Sequence, residues 1–231
     1  MLILGIDTST HIGSTALWSD NGLIGLLTIS VELTHSEGLM SAIDKLLQLA
    51  QKNVREITGV ACVSGPGSYT GLRVGVATAQ GIAFANNAEC YAMNSLDVMA
   101  WNLAHSKYQI CPLLTARKGW VYARLYQWND NVPLAVSDEL NLQPEELIRE
   151  IHQPTIFYGS GLNPHCEFLR EVLQEQFVEI PQIYHSARAD ILAEIAAHEL
   201  AQGKGITPDQ LLPHYLGPSQ AEINWNKIQL R

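Results

Sequence analysis

The chain has 231 residues, 47% hydrophobic and 16% charged, which excludes a disordered polymer and allows one large domain or two lobes sharing a core. Its 14 Lys and Arg against 23 Asp and Glu give a formal net charge of −9. An autonomous DNA- or tRNA-binding module would need a Lys/Arg stripe that is not visible here, so a basic patch would have to assemble from scattered residues such as Arg117, Lys118 and Arg124.

The start, MLILGIDTST, has an apolar run from Leu2 to Ile6 that ends at Asp7 and a Thr-Ser-Thr turn. It lacks a basic n-region, and Asp7 interrupts it too early for a signal peptide. Ser14 to Trp18 and Leu23 to Ser30, separated by Asp20-Asn21-Gly22, complete a three-stranded meander. After Thr34 the period becomes helical: Leu39, Ile43, Leu46, Leu47 and Ala50 share a face, with Thr34 or Ser36 available as cap. Ile57 to Val63 reads as a strand, Thr70 to Ala85 as a helix and Glu89 to Met93 as a strand. This order predicts that the later strands run parallel to the first.

A second unit repeats the grammar without a residue-level repeat. Ile110–Thr115, Trp120–Trp128 and Val132–Leu140 predict a meander, Pro144–Ile151 a helix with Pro in its first turn, and Thr155–Tyr158 a buried strand. Pro164–Gln174 and Ala187–Ala201 predict helices, and 203–231 an irregular tail in which Trp225 marks a docked part. The expected division is a lobe over 1–105 and a second over 106–231. Cys62, Cys90, Cys111 and Cys166 show no CxxC spacing and read as buried thiols of a reducing compartment. No run of about 18 apolar residues occurs, so the expectation is a cytoplasmic protein without a membrane span.

Three features bear on chemistry. Asp7, at the carboxyl end of the first strand, is either a carboxylate positioning a metal-bound water beside a phosphate or the head of an Asx-turn. The loop Gly65, Pro66, Gly67, Ser68 either cradles an anion at a helix amino terminus or is a tight turn with Ser68 or Thr70 as cap. It is neither a Walker A loop nor a GxGxxG. Helix 70–85 carries one charge, Arg73, and is apolar on every side, so its outer side needs a cover: a second lobe or, more sharply, a partner subunit. The eight His lack HxxxH spacing, no GxSxG elbow occurs, and the adjacent pairs Glu145-Glu146 and Asp138-Glu139 point to different sides. No metal and no catalytic residue is expected.

Four segments together, LGIDTST at 4–10, THSEGLM at 34–40, VSGPGSYTGLRVGVATAQGIAFA at 63–85 and TARKGWVYARLY at 115–126, resemble the TsaB (YeaZ) family over nearly the whole chain. The resemblance implies an α/β fold of the actin-like ATPase (sugar kinase and heat-shock ATPase) superfamily with two RNase H-like lobes. It further implies a cofactor-free, non-catalytic scaffold that binds its catalytic paralogue TsaD, with TsaE joining as an ATPase. That complex transfers threonylcarbamoyl to the adenosine beside the anticodon of tRNAs reading ANN codons, and tRNA is met only through the complex. The histidine pair of the paralogue falls on Ser95 and Met99 here, which cannot replace two imidazoles on a metal. Thr115, Ser160 and Gly217 stand where the family usually has Asp, Asp and Arg, a loss set against nucleotide or tRNA contacts of the second lobe. The expected partner contacts are His35, Leu39, Ile43, Leu72, Val76 and Ala79, and the same surface is expected to form a homodimer when the chain is alone. The competing reading is an ATPase using Asp7, Gly65, Gly67 and Ser68.

Overall fold

The computed structural model describes residues 1–30 and 35–217, with the side chains of 35–37 outside that set. The meander forms as β1 (Leu2–Asp7), β2 (Ile12–Ser19) and β3 (Gly22–Ser30). β4 (Gly59–Gly65) then lies parallel to β1 and β5 (Glu89–Asn94) parallel to β4, giving the order β3-β2-β1-β4-β5. The alternation of β1 sets what lies on each face. Leu2, Leu4 and Ile6 pack into a core with α1 (His35–Leu49) and α2 (Tyr69–Asn86), while Ile3 packs into another core on the opposite face. Every β1 residue is buried, as a strand covered on both faces must be.

The second sheet contains β6 (Gln109–Thr115), β7 (Val121–Ala123), β8 (Tyr126–Asn129), β9 (Val132–Ala135), β10 (Leu140–Leu142), β11 (Thr155–Tyr158) and β12 (Phe177–Glu179). The strands expected over 120–128 and 132–140 each split in two. At the first break the Leu125 N–H goes to Ser137 Oγ and its carbonyl accepts from Val136, so residues 124–125 leave the ladder to β6. One face of this sheet carries α5 (Cys166–Leu173) and Leu147 of α4 (Pro144–Leu147).

Its other face shares a core with the first sheet. Ile3, Ala61, Ile110, Leu114 and Tyr158 meet α3 (Ser95–Ala100) and α6 (Ala189–Ala201) in one hydrophobic cluster. α3 escaped the sequence reading; it is a short helix capped by Asn94, whose side chain accepts from the Leu96 N–H. α6 lies close against the first sheet because Gly5 has no side chain: a Cβ there would collide with the Ala189 carbonyl. The expected boundary at 105 falls between the strands of the two sheets, yet α6 and residues 206–215 return to the first. Ile206 exchanges backbone hydrogen bonds with Cys90, Leu211 is fully buried in the α1/α2 core, and the His214 N–H donates to the Ser64 carbonyl. The tail expected to be irregular is therefore anchored as far as 217, because Ile206 and Leu211 supply the apolar contacts of a sheet edge. Trp225 lies outside the described residues. No described helix is long and apolar enough to cross a membrane.

Candidate partner interface

Asp7 and the glycine-rich loop meet as one packed unit. Asp7 is wholly buried, and its Oδ1 accepts the Ser9 N–H at 2.9 Å, the Asx-turn of the two readings. Its Oδ2 has no hydrogen-bond partner among the described residues, and burial pushes the carboxyl up from 3.8 to about 6 against the opposing pull of the Ser9 hydrogen bonds. Ser68 caps α2 by accepting from the Gly71 N–H at 3.2 Å, while its own N–H donates to the Ser9 carbonyl at 2.7 Å. Thr8 Oγ1 donates to the Gly71 carbonyl at 2.7 Å.

The glycines serve this contact. A Cβ on Gly67 would strike the Ser9 carbonyl, one on Gly71 the Thr8 carbonyl, one on Gly75 the Thr8 hydroxyl, and one on Gly65 the His214 carbonyl. On the side where these glycines would carry a Cβ the loop is packed against the chain's own backbone, and Asp7 has no exposed surface. Among the described residues no three His, Cys, Asp or Glu side chains gather as a metal centre.

In the single chain α2 is covered on one side only, and the second lobe does not supply the cover for its outer side. Gly71, Leu72, Gly75, Val76, Ala79, Ile82 and Ala83 are buried, but Arg73, Ala77, Gly81, Phe84 and Ala85 look outward, and Phe84 is 82% exposed. The expected contact residues Leu39, Ile43, Leu72, Val76 and Ala79 are thereby corrected: they fill the chain's own core, where no partner can touch them. His35 begins α1, but its side chain lies outside the described residues.

Apolar or small residues that face outward include Ala77, Gly81, Phe84 and Ala85 of α2 and Met40 of α1, the last 54% exposed. Between the two helices runs an open groove of about 420 Å³, floored by Ala77, Thr78 and Gly81 and flanked by Met40, Val54 and Arg55. The signal was present in the sequence: 73, 77, 81 and 84 follow helical spacing on the side opposite Leu72, Val76 and Ala79. At the amino end of α2 the Arg73 guanidinium lies over the Tyr69 ring at 4.1 Å and donates to the Tyr215 hydroxyl at 2.9 Å, joining the helix to the returning tail.

Residues 29–225 match the family profile described as TsaD: tRNA N6-adenosine threonylcarbamoyltransferase. The tRNA threonylcarbamoyladenosine biosynthesis protein TsaB of Bacillus subtilis (strain 168) is 30% identical, over 99% of this chain and all of that protein. This chain belongs to the TsaB family. YeaZ from Pseudomonas aeruginosa shares the fold, with a TM-score of 0.77 at 24% identity over 93% of this chain and 99% of that one. A Clostridium difficile activator of 2-hydroxyisocaproyl-CoA dehydratase, solved with bound ADPNP, superposes with a TM-score of 0.50 at 12% identity, covering 88% of this chain and 98% of that one. The TsaB chain thus has the actin-like ATPase fold, in two sheets.

The other TsaB positions set apart in the sequence fall in three places. Ser95 donates its hydroxyl to the Pro66 carbonyl of the loop, and Met99 lies in the core shared by the sheets. Thr115 and Ser160 bond to one another through Thr115 N–H to Ser160 Oγ at 3.2 Å and Thr115 Oγ1 to the Ser160 carbonyl at 3.1 Å. Gly217 lies against the Asn141 amide.

Proposed function

We propose that this chain serves tRNA threonylcarbamoyladenosine biosynthesis as a non-catalytic subunit that binds a TsaD-type threonylcarbamoyltransferase through the outer face of α1 and α2, with TsaE joining the pair. The observation that carries the reading is the uncovered face of α2, where an 82%-exposed Phe84 stands beside the small residues Ala77, Gly81 and Ala85. Small residues let a second helix approach closely, and Phe84 and Met40 supply the apolar anchors around which an interface is built. Two helices per partner can furnish the roughly 1,600 Å² of a standard interface. The packed loop beside Asp7 supports assigning the chemistry, transfer to the adenosine beside the anticodon of ANN-reading tRNAs, to the partner.

The test is co-purification with TsaD and TsaE, together with reconstituted tRNA modification. Ala77→Arg places a cation in the groove, and Gly81→Arg enters open space, since nothing lies within 4 Å of a Cβ there. Either change is expected to abolish association with TsaD and lower modification to the level seen without this chain, with the melting temperature within a few degrees of the native value. Full association and full modification by both variants would refute the interface. Val76→Arg does not serve the purpose, because Val76 is in the core and the change unfolds the chain.

A further inference from the structure

The turn joining β6 to β7 carries Arg117 and Lys118, the only two adjacent basic residues in the sequence. It forms one wall of an open hollow of about 260 Å³, whose opposite side is the segment Gly161, Pro164 and His165. Among the described residues no carboxylate lines this hollow. Six other described cations are engaged: Lys52, Arg124, Arg170, Arg188 and Lys204 each pair with an Asp or Glu, and Arg73 is held by Tyr69 and Tyr215, whereas Lys45, Arg55, Lys107 and Arg149 stand singly and line no hollow with a second cation. Arg124, which the sequence grouped with Arg117 and Lys118, is bound to Asp97 at 3.0 Å and drops out of that group.

Arg117 and Lys118 have no carboxylate within ion-pairing distance among the described residues, in a chain whose net charge is −9. Two neighbouring cations and an imidazole around a concavity free of negative charge focus a local positive potential against the field of the whole protein.

The arrangement is also preorganised. Residues 116–120 form a tight turn closed by Ala116 N–H to the Trp120 carbonyl at 3.1 Å and Trp120 N–H to the Arg117 carbonyl at 2.8 Å, with Gly119 at a φ of +76°. The Arg117 guanidinium lies 3.5 Å from the centre of the Trp120 ring. Stacking uses the face of the guanidinium and leaves its in-plane N–H edge free, the edge that grips a phosphate in bidentate fashion. Thr115 and Ser160 close the base of the turn as a neutral pair, adding no charge that would repel an anion. The volume is below the roughly 300–1,000 Å³ of pockets that enclose a whole cofactor, which suits one phosphate group of a strand crossing the surface.

We infer that the hollow between the 116–120 turn and His165 binds a backbone phosphate of RNA. The choice of RNA among polyanions rests on the tRNA-pathway reading above; the positive hollow does not.

The test uses the full chain, alone and bound to TsaD, titrated with a labelled RNA hairpin over rising salt. The native protein is expected to bind with an affinity that falls as salt rises. Arg117→Gln with Lys118→Gln is expected to weaken binding about tenfold at low salt and to flatten the log–log salt slope by about 1, the contribution of one phosphate. The matched control, Lys107→Gln with Arg149→Gln, removes two exposed cations elsewhere and is expected to change neither. Equal losses from both double variants, or no loss from the first, would overturn the site, as would absence of RNA binding in both the chain and the complex. Displacement of the hairpin by equimolar inorganic phosphate or AMP would replace the RNA strand with a small free anion. Co-purification with TsaD is expected to survive in both double variants, so a failure of the partner reading is scored separately from a failure here.

Discussion

Asp7 illustrates how a residue placed where ligands gather in this fold can be consumed by structure. One oxygen holds the Ser9 N–H and the other is buried without a partner among the described residues, so the folded chain holds a carboxyl that prefers its proton up to about pH 6. The linkage sign follows from the raised value. The unfolded carboxyl ionises near 3.8 and the folded one near 6, so ionised Asp7 lowers stability above about pH 6, and this penalty disappears as pH falls below 3.8. Asp7→Asn removes the ionisation while keeping the oxygen that accepts from Ser9. The stability difference between Asn and Asp variants, read from urea unfolding, is expected to favour Asn more at pH 8 than at pH 4 by about 2–3 kcal/mol. A difference that stays flat between those pH values would contradict the buried, unpaired carboxyl. Cys62 and Cys111 are likewise buried, and burial raises their thiols well above the ordinary range, whereas Cys166 is only half-buried.

At the scale of elements, the returning segment 206–217 behaves as part of the first sheet's core. Leu211 is fully buried beside α1 and α2, while its neighbour Leu212 is 65% exposed. Leu211→Ala is expected to cost about 2–5 kcal/mol of global stability, and Leu212→Ala less than about 0.5 kcal/mol, by denaturant unfolding with unchanged slopes. Equal effects would mean that the segment is not docked. Which elements were legible follows from this. β1 to β5, α1 and α2 each bury a face with an unambiguous period, and the sequence placed them to within about two residues.

The second unit was less legible because its ladders are interrupted by tertiary bonds, such as Ser137 capturing the Leu125 N–H, that no local pattern announces. The partner face was half legible. An apolar helix with one charge signalled that something must cover it, but choosing its large aliphatic residues selected the side facing the sheet. Ala77 and Gly81, which are outward, carry almost no hydrophobic signal of their own. The loop's glycines carry two readings in the sequence, an anion cradle or a tight turn; in the structure Gly67, with Gly71 and Gly75 of α2, serves the approach of α2 to the Asp7–Thr10 turn, a contact more than fifty residues away in sequence.

At the scale of the molecule, an uncovered apolar face on a body of net charge −9 sets two forces in opposition. Without a partner, the outer face of α1 and α2 is expected to pair with its own copy about a two-fold axis, while like charge on the two copies resists association. Sedimentation velocity of the isolated chain is therefore expected to show a dimer that tightens between low and moderate salt as the repulsion is screened, with Ala77→Arg monomeric throughout. A native chain that stays monomeric at high concentration would remove the homodimer and weaken the partner face with it. Salt pulls the two surfaces of this molecule in opposite directions: it strengthens the apolar face and weakens the basic hollow at 116–120.

The route of the backbone adds a constraint on biogenesis. β5 ends at Asn94, but α6, which covers the far side of the same sheet, ends only at Ala201. At about 5–20 residues per second, a ribosome needs roughly 5–20 s to deliver the missing layer. During that interval Ile3, Ala61 and Val63 have only the short α3 beside them and lack the cover of α6, so the nascent first half is expected to bind chaperones before it can act as a subunit.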